Sequence, residues 1–233
     1  MKDKELDFNR KVHVIYSNTC KREIKKHIGM HYPKKDQNVI WEKVQLQYVE
    51  FLKNYRTDLG GKRNRMNKAG GTYDCIALFS YYKVCKDVVD FKEIEEINKD
   101  ILLPSFRALG FVNLNKRIYV KLFHNTLKMI KKIRDKFKDF DMVLEDYKED
   151  EPIRYHFNTC PIYEFAKEHD LLDILPAICN ADYKGVDIMG GKLIRTRTLK
   201  TSSRCDFTIV GNKDKYVEEH PEYIAEDGGI YNK

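Results

Sequence analysis

Beyond Asp139 the apolar residues of this chain change their spacing from every third or fourth position to every second, and that change limits the fold more than any other feature. Val143, Glu145 and Tyr147 alternate, residues 148–151 supply a turn, and Ile153, Tyr155 and Phe157 alternate again, which predicts a β-hairpin. A second hairpin is predicted from residues 192–199 and 204–210 around Thr201-Ser202-Ser203. Upstream the spacing is helical. Ile40, Val44, Tyr48, Phe51, Leu52 and Tyr55 share one face of a helix that Asp36 or Asn38 can cap and Gly60-Gly61 should stop. Residues 73–84 are rich in apolar side chains, and 91–102 read as an acidic helix ended by Pro104. Ile118, Leu122, Met129, Ile133 and Phe137 mark the inner face of a long helix near 116–138, with Lys128, Lys131, Lys132, Arg134, Lys136 and Lys138 outside. Two further helices, 160–169 and 173–189, break near Asp170 and stop at Gly190-Gly191.

Helices followed by strand pairs, without βαβ alternation, define an α+β chain: a helical N-terminal two-thirds packed on a small antiparallel sheet built from two C-terminal hairpins. The expected organisation is a helical extension over 1–35, a single α+β domain over 36–210 and a polar surface tail over 211–233.

Composition narrows the function classes. The formal charge of +7 invites phosphate contacts, yet much of the excess lies in residues 2–35 and on the solvated face of the helix near 116–138, and no helix-turn-helix, zinc-finger or RNA-binding signature accompanies it. Nucleic acid is therefore not an expected partner. The N-terminus alternates charges and lacks a secretory apolar stretch, and the longest apolar run, near 75–79, is far short of the roughly 20 residues that span a bilayer. A cytoplasmic protein is expected, with no membrane partner. The 6 cysteines, none in a C-x-x-C pair, are then free thiols.

Candidate chemistry collects in the last third. In Asn158-Thr159-Cys160-Pro161 the proline sets Cys160 at a helix N-cap, where free amides stabilise a thiolate or an anionic ligand group; the alternative is a small apolar side chain closing a corner. Cys179 and Asp182 lie three apart on one helix face, and a buried Asp182 would need a cation or an amidine. Period 2 sets Arg195 and Arg197 on one face of the next strand and Thr196 and Thr198 on the other, so either the arginines form a carboxylate clamp or the threonines line the cavity. Cys205 and Phe207 share an inward face, with Asp206 outward or bonded to a turn. His124, inside the long helix, is a base or a satisfied half-buried histidine. No metal is expected, although zinc held by Cys160, Cys179 and Cys205 is left open.

These residues, Cys160-Pro161-Ile162, Cys179-Asn180-Ala181-Asp182, Thr196-Arg197-Thr198-Leu199 and Cys205-Asp206-Phe207, together resemble the L-2-amino-thiazoline-4-carboxylic acid hydrolase family, and Leu59-Gly60-Gly61-Lys62-Arg63-Asn64 resembles its Gly-Gly…Asn segment. The turn Ser202-Ser203-Arg204 departs from the Gly-rich or acidic turn of that family. The resemblance implies a cytoplasmic hydrolase of cysteine metabolism that opens the C–N bond of a small cyclic amidine carrying a carboxylate, to give an N-carbamoyl amino acid. Cys160, Asp182 and His124 would then be catalytic: Cys160 as nucleophile, or Asp182 or His124 as base to a water. Cys179, Arg195, Arg197, Thr196, Thr198, Cys205 and Asn64 would bind the substrate. Beside the substrate, a homo-oligomeric partner is left open. The Cys-x-Phe ending is also similar to that of 4-vinyl-reductase-type domains, which implies a small-molecule sensor without turnover.

Overall fold

Ser17 starts the first helix: its hydroxyl accepts the Cys20 amide at 3.0 Å, and α1 (Asn18–His31) then buries Cys20, Ile24 and Ile28 at four-residue intervals. The computed structural model describes residues 16–54, 71–137 and 140–233, which fall into two compact units, Met1–Ile101 and Leu102–Lys233. In the first unit α2 (Lys34–Asn54) buries Trp41, Val44, Tyr48 and Phe51. Between these two helices lies α3 (Thr72–Val84), in which every residue from Thr72 to Tyr82 is buried. A helix apolar on all sides has nowhere to go but the centre of its unit. Thus α1 is part of this core and not the extension expected over 1–35.

Glu93, in α4 (Phe91–Arg107), gathers the first unit's polar groups: its carboxylate meets His27 Nδ1 at 3.0 Å and His31 Nε2 at 2.7 Å, and accepts from Tyr81 Oη at 2.9 Å. α4 runs through Pro104, which was expected to end it. The exposed proline forfeits one amide bond near the helix end, and Ala108 N–H still reaches the Pro104 carbonyl at 3.3 Å.

In the second unit α5 (Arg117–Phe137) turns a different face inward from the expected one. Ile118, Leu122 and Met129 are exposed, whereas Val120, Phe123, Leu127 and Ile130 meet the core. The helix carries apolar residues on two sides, and only the neighbours decide which side is covered. One result is that Arg134, seven residues after Leu127, falls on the inner side instead of among the outer lysines, with its guanidinium 3.8 Å from the Phe140 ring.

Both expected hairpins form: β1 (Asp141–Leu144) with β2 (Ile153–Thr159), and β3 (Gly191–Ile194) with β4 (Cys205–Gly211). Their inner strands pair antiparallel, giving the order β1-β2-β4-β3. The register sets Tyr155 opposite Phe207 and Phe157 opposite Cys205, so one sheet face carries Met142, Ile153, Tyr155, Phe157, Leu193, Cys205, Phe207 and Ile209 to the core. The protein is α+β, with a helical N-terminal portion and a small antiparallel sheet of C-terminal strands.

The connection between the hairpins is three short helices, α6 (Pro161–Glu168), α7 (Leu175–Cys179) and α8 (Ala181–Ile188). Asp170, in the left-handed region at φ 56°, makes the break between α6 and α7. Gly185 lets α8 approach closely, since a Cβ there would lie 2.5 Å from the Phe106 ring. The last residues are α9 (Tyr216–Glu219) and a hairpin of β5 (Glu222–Ile224) with β6 (Ile230–Asn232). Tyr231 and Asn232 are buried, so this stretch is built into the unit where a polar surface tail was expected; the acidic, glycine-punctuated composition reflects its turns and hides its two inward residues. Among the described residues no helix is long and apolar enough to cross a membrane.

Asp74 in α3 supplies a test of the first unit. Its Oδ1 accepts the Ser17 amide, its Oδ2 is buried without a hydrogen-bond partner, and burial pushes its carboxyl from 3.8 to about 6. The native state therefore binds this proton more tightly than the unfolded chain, and its contribution to stability is full below pH 3.8 and lost as pH rises through about 6. Asp74→Asn should raise stability by about 2–3 kcal/mol at pH 7.5 and by far less at pH 4, as read by denaturant unfolding.

Candidate functional site

Asp206 shapes the site by ending a strand. Its Oδ1 accepts the amides of Thr196 at 2.9 Å and Arg197 at 2.8 Å, and its Oδ2 accepts the Thr196 hydroxyl at 2.7 Å. The β3–β4 ladder therefore stops at Ile194, short of the expected Leu199, and the alternation that paired Arg195 with Arg197 is broken. Arg195 stays on the core face and is 2% exposed; Thr196 and Arg197 are exposed, and Thr198 is half-buried in the following turn.

A guanidinium so far from water must be matched locally. Arg195 Nη2 donates to Asp182 Oδ2 at 2.8 Å, Nη1 donates to the Cys179 carbonyl at 3.4 Å, and the cation lies 4.4 Å from the centre of the Phe207 ring and 5.2 Å from that of Tyr183. Its Nε is buried without a hydrogen-bond partner. Burial works against the charge, but Cys205, Asp182, Cys179 and Tyr183 outweigh it, so the guanidinium is held more firmly protonated than usual.

Cys179 ends α7 and Asp182 opens α8, separated by the corner at Asn180. The single helix expected over 173–189 is thus two, and the pair borders Arg195 in different ways: Cys179 through its carbonyl and Asp182 through its carboxylate. The Asp182 side chain keeps 45% of its surface open, so it is recessed among protein atoms but reachable by water, while its partner is sealed at 2%. Burial raises the Asp182 carboxyl; the charge and hydrogen bond of Arg195, and more weakly Arg134, pull it back. Cys160 is the N-cap of α6 with Pro161 in the first turn, the position its sequence predicts. Burial pushes its thiol up to about 11, against the amides of Tyr163 and Ile162 and the charge of Arg134. Cys205, opposite Phe157, is pushed by burial to about 12 and is pulled back by Arg195; Cys179 is raised further for the same reasons. The half-buried thiols of Cys160, Cys179 and Cys205 are within electrostatic reach of one another and of Asp182.

The structure thus brings together Cys160, Cys179, Asp182, Arg195 and Cys205. It does not bring in His124, which donates through Nε2 to the Glu145 carbonyl at 2.9 Å and sits ten residues, about 15 Å along α5, from Arg134. Asn64 lies outside the described residues. Among the described residues no group of three or more His, Cys, Asp and Glu is arranged to hold a metal ion, so the three thiols do not form the zinc set left open above.

Two neighbours were missed. Arg134 was assigned to the outer face of α5. Tyr155 was read only as a strand residue; it stacks on Phe207 at 4.7 Å, and its hydroxyl, raised well above its usual value by burial, feels Asp182 and Arg195. The alternation of Ile153, Tyr155 and Phe157 is a signal for the inward face of Tyr155, whereas its place opposite Phe207 follows only from the pairing of β2 with β4.

The sequence profile of the L-2-amino-thiazoline-4-carboxylic acid hydrolases matches residues 63–209, more than half of the chain. The chain belongs to this family. The matched segment carries every residue of the cluster and ends in β4, leaving α9 and the β5–β6 hairpin beyond it. No curated protein and no solved structure matches this hydrolase-family chain.

Because Arg195 is sealed and Asp182 is not, removing the cation strands a recessed carboxylate. Arg195→Met should cost about 2 kcal/mol, less than the 3–5 kcal/mol of a fully buried pair, and Arg195→Met with Asp182→Leu should recover most of it, as read by denaturant unfolding.

Proposed function

We propose that this protein hydrolyses a small cyclic amidine bearing a carboxylate, of the 2-amino-thiazoline-4-carboxylate type. The observation that carries the reading is the Asp182–Arg195 pair. A carboxylate whose burial is partly offset by a sealed cation, yet 45% open, can receive an amidinium on its free side. Such a charge-assisted bond contributes roughly 1.5–3 kcal/mol. Arg195 is committed to Asp182 and Arg197 is exposed, so the ligand carboxylate is assigned to Arg134 and the open end of α6 at Cys160.

Atom balance decides which ring bond opens. An N-carbamoyl product retains the ring C–N bond, so water must replace the ring sulfur at the amidine carbon; the C–N opening expected from sequence would leave the carbamoyl group on sulfur. In the proposed route Cys160 Sγ bonds to the amidine carbon and passes its proton to Asp182. The ring C–S bond breaks, and the departing sulfur takes that proton. Water then adds to the same carbon, the bond to Cys160 Sγ breaks, and the thiol regains a proton.

A specific observation favours a second reading, binding without turnover: burial holds the Cys160 thiol at about 11, so the free protein presents almost no thiolate near neutrality. Incubation of purified protein with 2-amino-thiazoline-4-carboxylate, with and without chelator, separates the two. Hydrolysis should yield one new titratable thiol per substrate consumed, and no new amine; binding alone yields neither. Cys160→Ala should lower turnover by at least about a hundredfold while the protein stays folded, and retained turnover would reject the covalent route. Iodoacetamide labelling of Cys160 in the free protein should be slow at pH 7 and rise about tenfold per pH unit toward pH 11.

A further inference from the structure

The Asp182–Arg195 pair is held from behind by residues outside the family-matched segment. Where the ladder to β4 stops, the backbone of Arg195 is taken over by Asn232: Arg195 N–H donates to Asn232 Oδ1 at 2.9 Å, and Asn232 N–H donates to the Arg195 carbonyl at 2.9 Å. Asn232 is itself 3% exposed; its Nδ2 donates to the His220 carbonyl at 2.8 Å, and its Oδ1 also accepts from Tyr183 Oη at 3.3 Å. The other half of the pair rests on the same strand. Asn180, the corner between Cys179 and Asp182, is 3% exposed, donates to the Gly228 carbonyl at 2.9 Å and accepts the Ile230 amide at 2.9 Å. Tyr183, beside Asp182, donates to the Ile230 carbonyl at 2.8 Å.

We propose that the β5–β6 hairpin is a clasp that sets the distance between Asp182 and Arg195, with Asn232 and Asn180 as its positioning residues. An acid at the start of one helix and a cation at the end of one strand have no covalent reason to meet. Residues 228–232 bond to both supports, so the two side chains are referred to one short segment. The buried polar atoms that meet there, the Arg195 amide, the Asn180 amide group and the Tyr183 hydroxyl, would all lose partners if the clasp opened, which favours a closed hairpin. Its turn is secured in the same way: Asp227 accepts the Gly229 amide at 3.0 Å and pairs with Lys200 at 2.7 Å. The role in catalysis rests on the hydrolase reading above; the role in holding the ion pair does not.

The test uses the full-length chain as Asn232→Ala and, as a milder opening, Tyr183→Phe, with two readouts. The first needs no substrate: iodoacetamide labelling of each cysteine by mass spectrometry, alongside hydrogen exchange of β2 and β4. Asn232→Ala should speed labelling of Cys179 and Cys205 about tenfold while β2 and β4 stay protected, and Tyr183→Phe should do so about threefold. Unchanged labelling in both variants, or faster labelling only together with lost protection of β2 and β4, overturns the clasp. The second readout is the pH profile of turnover. Loosening Arg195 raises the Asp182 carboxyl, so the acid limb should move to higher pH in Asn232→Ala, with kcat falling more than KM rises; a limb that stays in place overturns the positioning role. If the wild-type protein turns over no substrate, the hydrolase reading fails and the labelling result still decides the clasp.

Discussion

A guanidinium withdrawn from water is the constraint to which the second unit answers. Removing a cation of that size from solvent costs several kcal/mol, and the cost falls only if an anion, acceptors and ring faces are brought to it. For Arg195 these come from three directions, Asp182 from the start of α8, the Cys179 carbonyl from the end of α7 and Phe207 from β4, while Asn232 from the last strand holds the backbone behind the side chain. Each supplier needs its own element in place, so one buried charge ties together segments far apart in sequence. The same withdrawal leaves an asymmetric pair, and it is the open half, Asp182, that chemistry can use.

The thiols belong to the same balance. Packing three cysteines beside a buried cation would be expected to yield thiolates, yet burial prevails and each thiol is raised. The helix N-terminus at Cys160 lowers the penalty without cancelling it. With its thiols protonated, a site built this way is quiet toward electrophiles when empty.

How much of this was legible from the residues varies with the range of the interactions concerned. Most helix and hairpin assignments and the N-cap at Cys160 are local: backbone geometry and side-chain period settle them within a few positions. The errors are also instructive. Ile118, Leu122 and Met129 form a valid helical stripe, but Val120, Phe123, Leu127 and Ile130 form another, and periodicity alone cannot rank two stripes on one helix. Arg197 was set beside Arg195 because alternation was extended past Ile194, where a carboxylate ten residues away takes the amides that alternation needs.

The residues by themselves determined an α+β chain, a candidate site collected in its last third, and the kinship with the L-2-amino-thiazoline-4-carboxylic acid hydrolases. Only the tertiary structure decided that Arg195 is the sealed cation and Arg197 is not, that Arg134 turns inward, and that Asn232 reaches back to the centre. The reason is physical: burial is a property of neighbours, and a charge has no assigned partner until distant segments close around it.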